Sequence, residues 1–233
     1  MILSTLKQKI KQVRQSIVAI GFSPAPNKIT IVGSGFAVSD DGKILSVAHV
    51  YNQIKPEYKN ILMAMVMTQQ EKNGLEHYEW LPIKLIEGKK NDTDDVIVFQ
   101  LENYNKTLLK RLELGDSENI EVGDETYFIG FPYAVQLIND GFGITLIVNK
   151  AIISNIKQDG VDPSHKRNFI ILDAVSNPGN SGCPLIDVKS NKVIGIMAIA
   201  FRMQSQVNKD LDIREPMHIS AARPINLAKE LLE

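Results

Sequence analysis

Asn177-Pro178-Gly179-Asn180-Ser181-Gly182-Cys183-Pro184-Leu185 sets a serine between glycines, in a turn bounded by prolines. The glycines let the backbone take positive φ and let another chain approach closely. The Ser181 hydroxyl is therefore expected at an exposed tip. In such a turn the N–H groups of Gly179 and Ser181 can converge on one point and hold the oxyanion of a tetrahedral intermediate. Taken alone, Gly-Asn-Ser-Gly is also a common loop composition. Its meaning depends on the rest of the chain.

Two other stretches bear on it. Ser46-Val47-Ala48-His49-Val50 puts an imidazole where an apolar strand gives way to a turn. By itself His49 reads equally as a structural core histidine. Asp92-Thr93-Asp94-Asp95 runs directly into the apolar Val96-Ile97-Val98-Phe99. Asp95, at the mouth of that strand, can be partly buried and still reach a histidine on a neighbouring strand. Asp92 and Asp94 compete with it, or belong to a solvated acidic turn.

Outside these stretches the chain is a series of short β-type runs. They are Ile29–Val38, Ile44–Val47, Ile61–Met67, Ile83–Ile86, Val96–Leu101, Glu125–Gly130, Ile144–Ile153, Phe169–Leu172, Val193–Ala200 and His218–Ala221. Many short strands separated by turns predict an all-β barrel or sandwich. Leu3, Leu6, Ile10, Val13 and Ile17 fall on one helical face, so a helix should precede the strands. The helix is expected to pack on the body; docking to a partner or a membrane surface is the alternative. Pro224 opens a terminal helix over 225–232. The polar stretches Thr68–Glu79, Gln158–Arg167 and Arg202–Glu215 read as loops.

Taken in chain order, Gly33-Ser34-Gly35-Phe36, Ala48-His49, Asp95-Val96-Ile97-Val98 and Gly179-Asn180-Ser181-Gly182 resemble the trypsin-fold proteases of the Deg/HtrA group. Phe169–Ala174, Val193-Ile194-Gly195-Ile196 and Arg223-Pro224-Ile225-Asn226 extend the resemblance over most of the chain. It implies two six-stranded antiparallel β-barrels of the chymotrypsin type, with short N- and C-terminal helices. Residues 1–112 would carry His49 and Asp95, and 113–233 would carry Ser181, the two halves forming one protease unit. The order His…Asp…Ser is that of this type, unlike subtilisin or the α/β-hydrolases. The resemblance further implies Ser181 as nucleophile, His49 as base, Asp95 as its orienting carboxylate, and Gly179 and Ser181 N–H groups as oxyanion donors. Val175 and Ser176 would form the base of a P1 pocket walled by Ala198, Ile199 and Ala200. None is charged, which predicts small or medium aliphatic P1 residues, unless Met203 or another loop residue reshapes the pocket.

The sequence also departs from the family pattern. Asn180 stands where secreted trypsin relatives have an aspartate that pairs with a new N-terminal amine, so activation by trimming is not expected. Control would fall to loop ordering, oligomerisation or a regulatory protein partner, with Phe131–Thr145 and Arg202–Met217 as switch loops. Cys183 replaces a second glycine. It is expected to be a small buried residue; a redox brake or a disturbed oxyanion turn are the alternatives. No PDZ-like stretch follows the match, so substrates should be recognised through the cleft, the N-terminal helix or a separate subunit.

Composition excludes several other classes. The 26 basic and 27 acidic residues leave a net charge of −1, with no surplus to attract nucleic acid or an anionic membrane. His77, His165 and His218 lack ligand-like spacing, so neither a metal nor another cofactor is expected. One cysteine precludes an intrachain disulfide. Lys7, Lys9, Lys11 and Arg14 interrupt any signal-peptide core. Together these predict a cytoplasmic protein acting on protein or peptide substrates.

Overall fold

β-Branched and aromatic residues crowd the runs that pair, as expected of side chains packing on a pleated, half-buried surface. The computed structural model describes residues 5–26, 28–104, 107–157, 168–205 and 214–233. Among these, twelve strands close into two six-stranded antiparallel barrels. The first comprises β1 (Ile17–Ala25), β2 (Lys28–Ala37), β3 (Lys43–Ser46), β4 (Leu62–Gln70), β5 (Glu76–Asn91) and β6 (Val96–Leu101), in the order β1-β2-β3-β6-β5-β4. The second comprises β7 (Glu125–Gly130), β8 (Ile147–Lys157), β9 (Phe169–Leu172), β10 (Pro184–Asp187), β11 (Val193–Gln204) and β12 (Arg214–Pro224), in the order β10-β11-β12-β9-β8-β7. Four helices accompany them: α1 (Leu6–Val13), α2 (Ala48–Asn52), α3 (Ala134–Asn139) and α4 (Asn226–Leu232). The expected two-barrel fold with terminal helices is the one observed.

Several boundaries differ from the sequence reading. α1 starts at a capping box in which Thr5 and Gln8 satisfy each other's N–H groups. It stops before Ile17, which opens β1 instead. β1 pairs with both β2 and β4, and its first six residues are buried. A strand covered on both faces shows no alternation and merges with the preceding helical stripe. Thr68–Glu79 and Arg202–Glu215 are not simple loops. Gln69 pairs with His77 and Gln70 with Glu76, while Met203 pairs with Glu215 and Gln204 with Arg214. The arm residues are mostly polar and exposed, although Tyr78 packs against the core and Phe131. Gln158–Arg167 lies outside the described residues.

Strand alternation divides the core. On β7, Phe128 points into the second barrel with Ile153, Leu172, Leu185 and Met197. Tyr127 and Ile129 point the other way, into a core continuous with Phe36, Val98 and Phe99 of the first barrel. Burying each large apolar side chain is worth roughly 1.5–3 kcal/mol, so the contact between barrels is itself a core. The helices cross between the barrels. α4 leaves the second barrel and packs on β5 and β6 of the first. In α1, Lys9 Nζ donates to the carbonyls of Val188 and Lys189, at 2.5 and 2.9 Å, after β10 of the second barrel.

Candidate active site

β3 ends at Ser46, and α2 begins two residues later with His49 in its first turn. The turn before β6 delivers Asp95 opposite it. Asp95 adopts a left-handed backbone conformation, φ 56°, which Asp tolerates better than most residues. Its Oδ1 accepts from the His49 backbone N–H at 2.8 Å, and its Oδ2 lies 2.7 Å from His49 Nδ1. A carboxylate only accepts, so Nδ1 carries the proton and Nε2 keeps a lone pair. The His49 side chain is 41% exposed and that of Asp95 18%. The pair therefore has its carboxylate sheltered and its imidazole open to solvent.

The competing carboxylates are engaged elsewhere. Asp92 accepts from Lys90 and Asn52, whose hydrogen bonds hold its carboxyl below the usual range. Asp94 accepts from Asn91 at 2.8 Å.

In the serine turn the backbone groups can be accounted for singly. The Pro178 carbonyl accepts from Tyr133 N–H at 2.8 Å, and that of Asn180 accepts from Cys183 N–H at 3.0 Å. In a trans peptide the next N–H points opposite its carbonyl. Pinning these two carbonyls thus aims the N–H groups of Gly179 and Ser181 the other way. Neither N–H donates to a backbone carbonyl among the described residues. Gly179 has φ +101°, and a Cβ there would run into the Phe131 carbonyl. Both facts require glycine.

The first barrel meets this turn directly. Ser34 N–H donates to the Ser181 carbonyl at 2.8 Å. A side chain at Gly33 would collide with both Val50, the neighbour of His49, and the Ser181 carbonyl. The Ser181 carbonyl and Val50, the neighbour of His49, thus both pack against Gly33 of β2. No hydrogen bond joins Ser181 to His49 among the described residues, and in substrate-free hydrolases such bonds commonly tighten only on binding.

β11 runs past the turn, with Gly182 N–H donating to the Met197 carbonyl at 2.7 Å and Met197 N–H to the Cys183 carbonyl at 2.9 Å. Ala198, Ile199 and Ala200 follow on that strand, while Val175 and Ser176 lie in the segment leading into the turn. A cleft of about 380 Å³ is lined by Ile31, Val32, Phe131, Tyr133, Pro178 and Gly179, among others. Cys183 is fully buried, and burial pushes its thiol pKa up. Asn180 is also fully buried, with neither side-chain polar atom bonded.

Three contributors escaped the sequence reading. Tyr133, in a left-handed conformation (φ 49°), holds the Pro178 carbonyl. Arg223 of β12 stacks on Phe169 and donates to Thr93 O at 3.2 Å, beside Asp95. Ser34 and Arg223 stood out only as motif letters. None carries a local signal, because each acts on a segment distant in sequence.

His77 pairs with Glu71, and no cluster able to hold a metal exists among the described residues; His165 lies outside them. Of the expected switch loops, Phe131–Thr145 contains α3, and Arg202–Met217 is described only at its ends. No described helix is long and apolar enough to cross a membrane.

A family description, trypsin-like peptidase domain, matches residues 33–196. The chain is 31% identical over 202 residues to a probable periplasmic serine endoprotease DegP-like of Halomonas elongata, covering 87% of this chain and 34% of that protein. It is 39% identical over 107 residues to a probable serine protease do-like of Buchnera aphidicola, covering 46% of this chain and 20% of that protein. The chain thus spans about a third or less of these relatives. A solved structure, the HtrA-type protease AlgW with tripeptide, superposes with a TM-score of 0.66 at 22% identity, over 98% of this chain and 62% of that one. The expectation of a cytoplasmic location gains no support, since several relatives are named as periplasmic.

Proposed function

Because this chain belongs to the trypsin-like peptidase family, we propose that it is a serine endopeptidase using Ser181, His49 and Asp95. The observation that carries the reading is the pair of hydrogen bonds that Asp95 accepts from His49, from its backbone N–H and from Nδ1. That arrangement leaves Nε2 as the acceptor for the Ser181 proton. Ser181 Oγ then attacks the scissile carbonyl while His49 takes its proton, later delivering it to the leaving amine. Asp95 fixes the tautomer and stabilises the imidazolium. Gly179 and Ser181 N–H groups receive the oxyanion, each worth roughly 3 kcal/mol in the transition state. Water repeats the cycle on the acyl-enzyme. The halves 1–112 and 113–233 act as one unit on protein or peptide substrates.

Val175, Ser176, Ala198, Ile199 and Ala200 offer no charge to a P1 side chain, which favours small or medium aliphatic residues. The loops 131–145 and 202–217 are the places where ordering, or a regulatory partner, would act.

The missing Ser181–His49 hydrogen bond favours a second reading, a protease-fold binding module with little turnover. A fluorophosphonate probe separates the two. We expect wild type to label, and Ser181→Ala and His49→Ala not to. An unlabelled wild type, across buffers and with candidate activating peptides, would leave only the binding module. A peptide-library profile dominated by cleavage after Lys or Arg would refute the proposed P1 preference.

A further inference from the structure

Ser34 is fully buried in β2 of the first barrel, yet among the described residues its hydroxyl bonds only to the second. Its Oγ donates to the Gly179 carbonyl at 2.6 Å and accepts from the Phe131 N–H at 3.1 Å. The direction is fixed, because a carbonyl can only accept and an amide N–H only donate. Its backbone N–H holds the Ser181 carbonyl at 2.8 Å.

We propose that Ser34 is a positioning residue that holds the two oxyanion donors in register and makes that register depend on the docking of the barrels. The inference rests on the peptidase reading above. Four successive carbonyls, from Pro178 to Ser181, are each held by a donor: Tyr133 N–H, Ser34 Oγ, Cys183 N–H and Ser34 N–H. The Gly179–Asn180 peptide lies between the two oxyanion N–H groups, so turning it moves one against the other. Glycine supplies no side chain to resist that turn, and no larger residue fits beside the Phe131 carbonyl. The Ser34 hydroxyl supplies the missing restraint. Among the four holds it is the one made by a side chain, and with Ser34 N–H one of two supplied by the first barrel.

Removing the hydroxyl leaves the Gly179 carbonyl and the Phe131 N–H without their shared partner. Buried unpaired groups are costly. The shortest remedy is for these two to shift toward each other, which rotates the Gly179 peptide. The surroundings are built around the hydroxyl: a Cβ at Gly130 would lie 2.9 Å from both Ser34 Oγ and Cys183 Cβ.

The test uses the full chain, a peptide substrate, and a peptide boronate that forms a tetrahedral adduct with Ser181. Ser34→Ala should lower kcat by roughly tenfold to a hundredfold with KM near wild type, and should weaken boronate affinity by the same factor. Thr126→Ala is the control. It also loses one buried hydroxyl bond, to the Ala151 carbonyl at 3.2 Å, and should lower thermal stability while leaving kcat and boronate affinity intact. Ser34→Cys retains the volume and a weak donor, and should fall between serine and alanine. It is kept reduced because Cys183 is adjacent, and it carries the test if Ser34→Ala does not fold. If wild type cleaves and binds the boronate and the Ser34 variants match it, this inference fails and the peptidase reading stands. A raised KM with unchanged kcat overturns it equally. If wild type does neither, the peptidase reading fails and the inference falls with it.

Discussion

At the residue scale, the candidate site follows from what single groups can and cannot donate. Asp95 accepts twice from His49. In Asp95→Asn one of those acceptors becomes an NH₂, a donor set against either the backbone N–H or Nδ1–H of His49. The imidazole must then turn or change tautomer. We expect kcat to fall by about 10⁴ with little change in melting temperature, measured by peptide hydrolysis and thermal denaturation. Cys183 is the other residue whose environment dictates behaviour. Full burial raises its thiol pKa, so it should resist Ellman's reagent in the native protein and react at once in guanidinium, a result that would exclude a rapid redox brake. The sign of the pH effect follows. The folded pKa lies above the unfolded one, so the unfolded chain loses this proton first. Stability from this group is complete below the ordinary pKa of 9.0 and declines above it, by at most about 1.4 kcal/mol per pH unit. Denaturant titrations at pH 8 and pH 10 should show a smaller loss for Cys183→Ala than for wild type. An equal loss would place the alkaline sensitivity in other groups.

At the scale of the element, two pieces of chain are held by contacts that their own sequences do not announce. The turn before β6 carries Asp95 in a left-handed conformation, and Arg223 of β12 reaches across the barrels to hold it. Its guanidinium donates to Thr93 O and Asn168 O and stacks on Phe169. Burial lowers its pKa, while Asp95 and Asp94 oppose that shift. Arg223→Ala should destabilise the protein by about 1–3 kcal/mol and lower kcat more than KM changes, as read by denaturant unfolding and steady-state kinetics. α1 is similar. Its apolar stripe was legible, because period 3.6 is a property of the helix alone. Its anchor was not: Lys9 looks like a solvated charge, yet it bonds two carbonyls after β10. The polar ends of the β4–β5 and β11–β12 hairpins were read as loops for a related reason. Apart from Tyr78, which packs against the core, their residues are mostly polar and exposed, so pairing leaves little hydrophobic pattern.

At the scale of the whole molecule, the barrels share a core through Tyr127, Ile129 and Phe131, and each terminal helix bonds or packs onto the barrel at the opposite end of the chain. Such coupling predicts one cooperative transition. The single tryptophan, Trp80, lies in β5 of the first barrel. Its fluorescence and the far-UV circular dichroism of all twelve strands should therefore change at the same denaturant concentration. An earlier fluorescence midpoint would show that the first barrel unfolds alone. The sequence by itself determined the strand-rich fold, the family pattern and the identity of the serine turn. Apolar runs, glycines with restricted neighbours and motif order are local properties written along the chain. Only the tertiary structure decided which of three carboxylates meets His49, which carbonyls aim the Gly179 and Ser181 N–H groups, and that a hydroxyl of the first barrel braces a turn of the second. A hydrogen bond is set by distance and direction in space, and segments 145 residues apart, such as Ser34 and Gly179, share neither until the chain has folded.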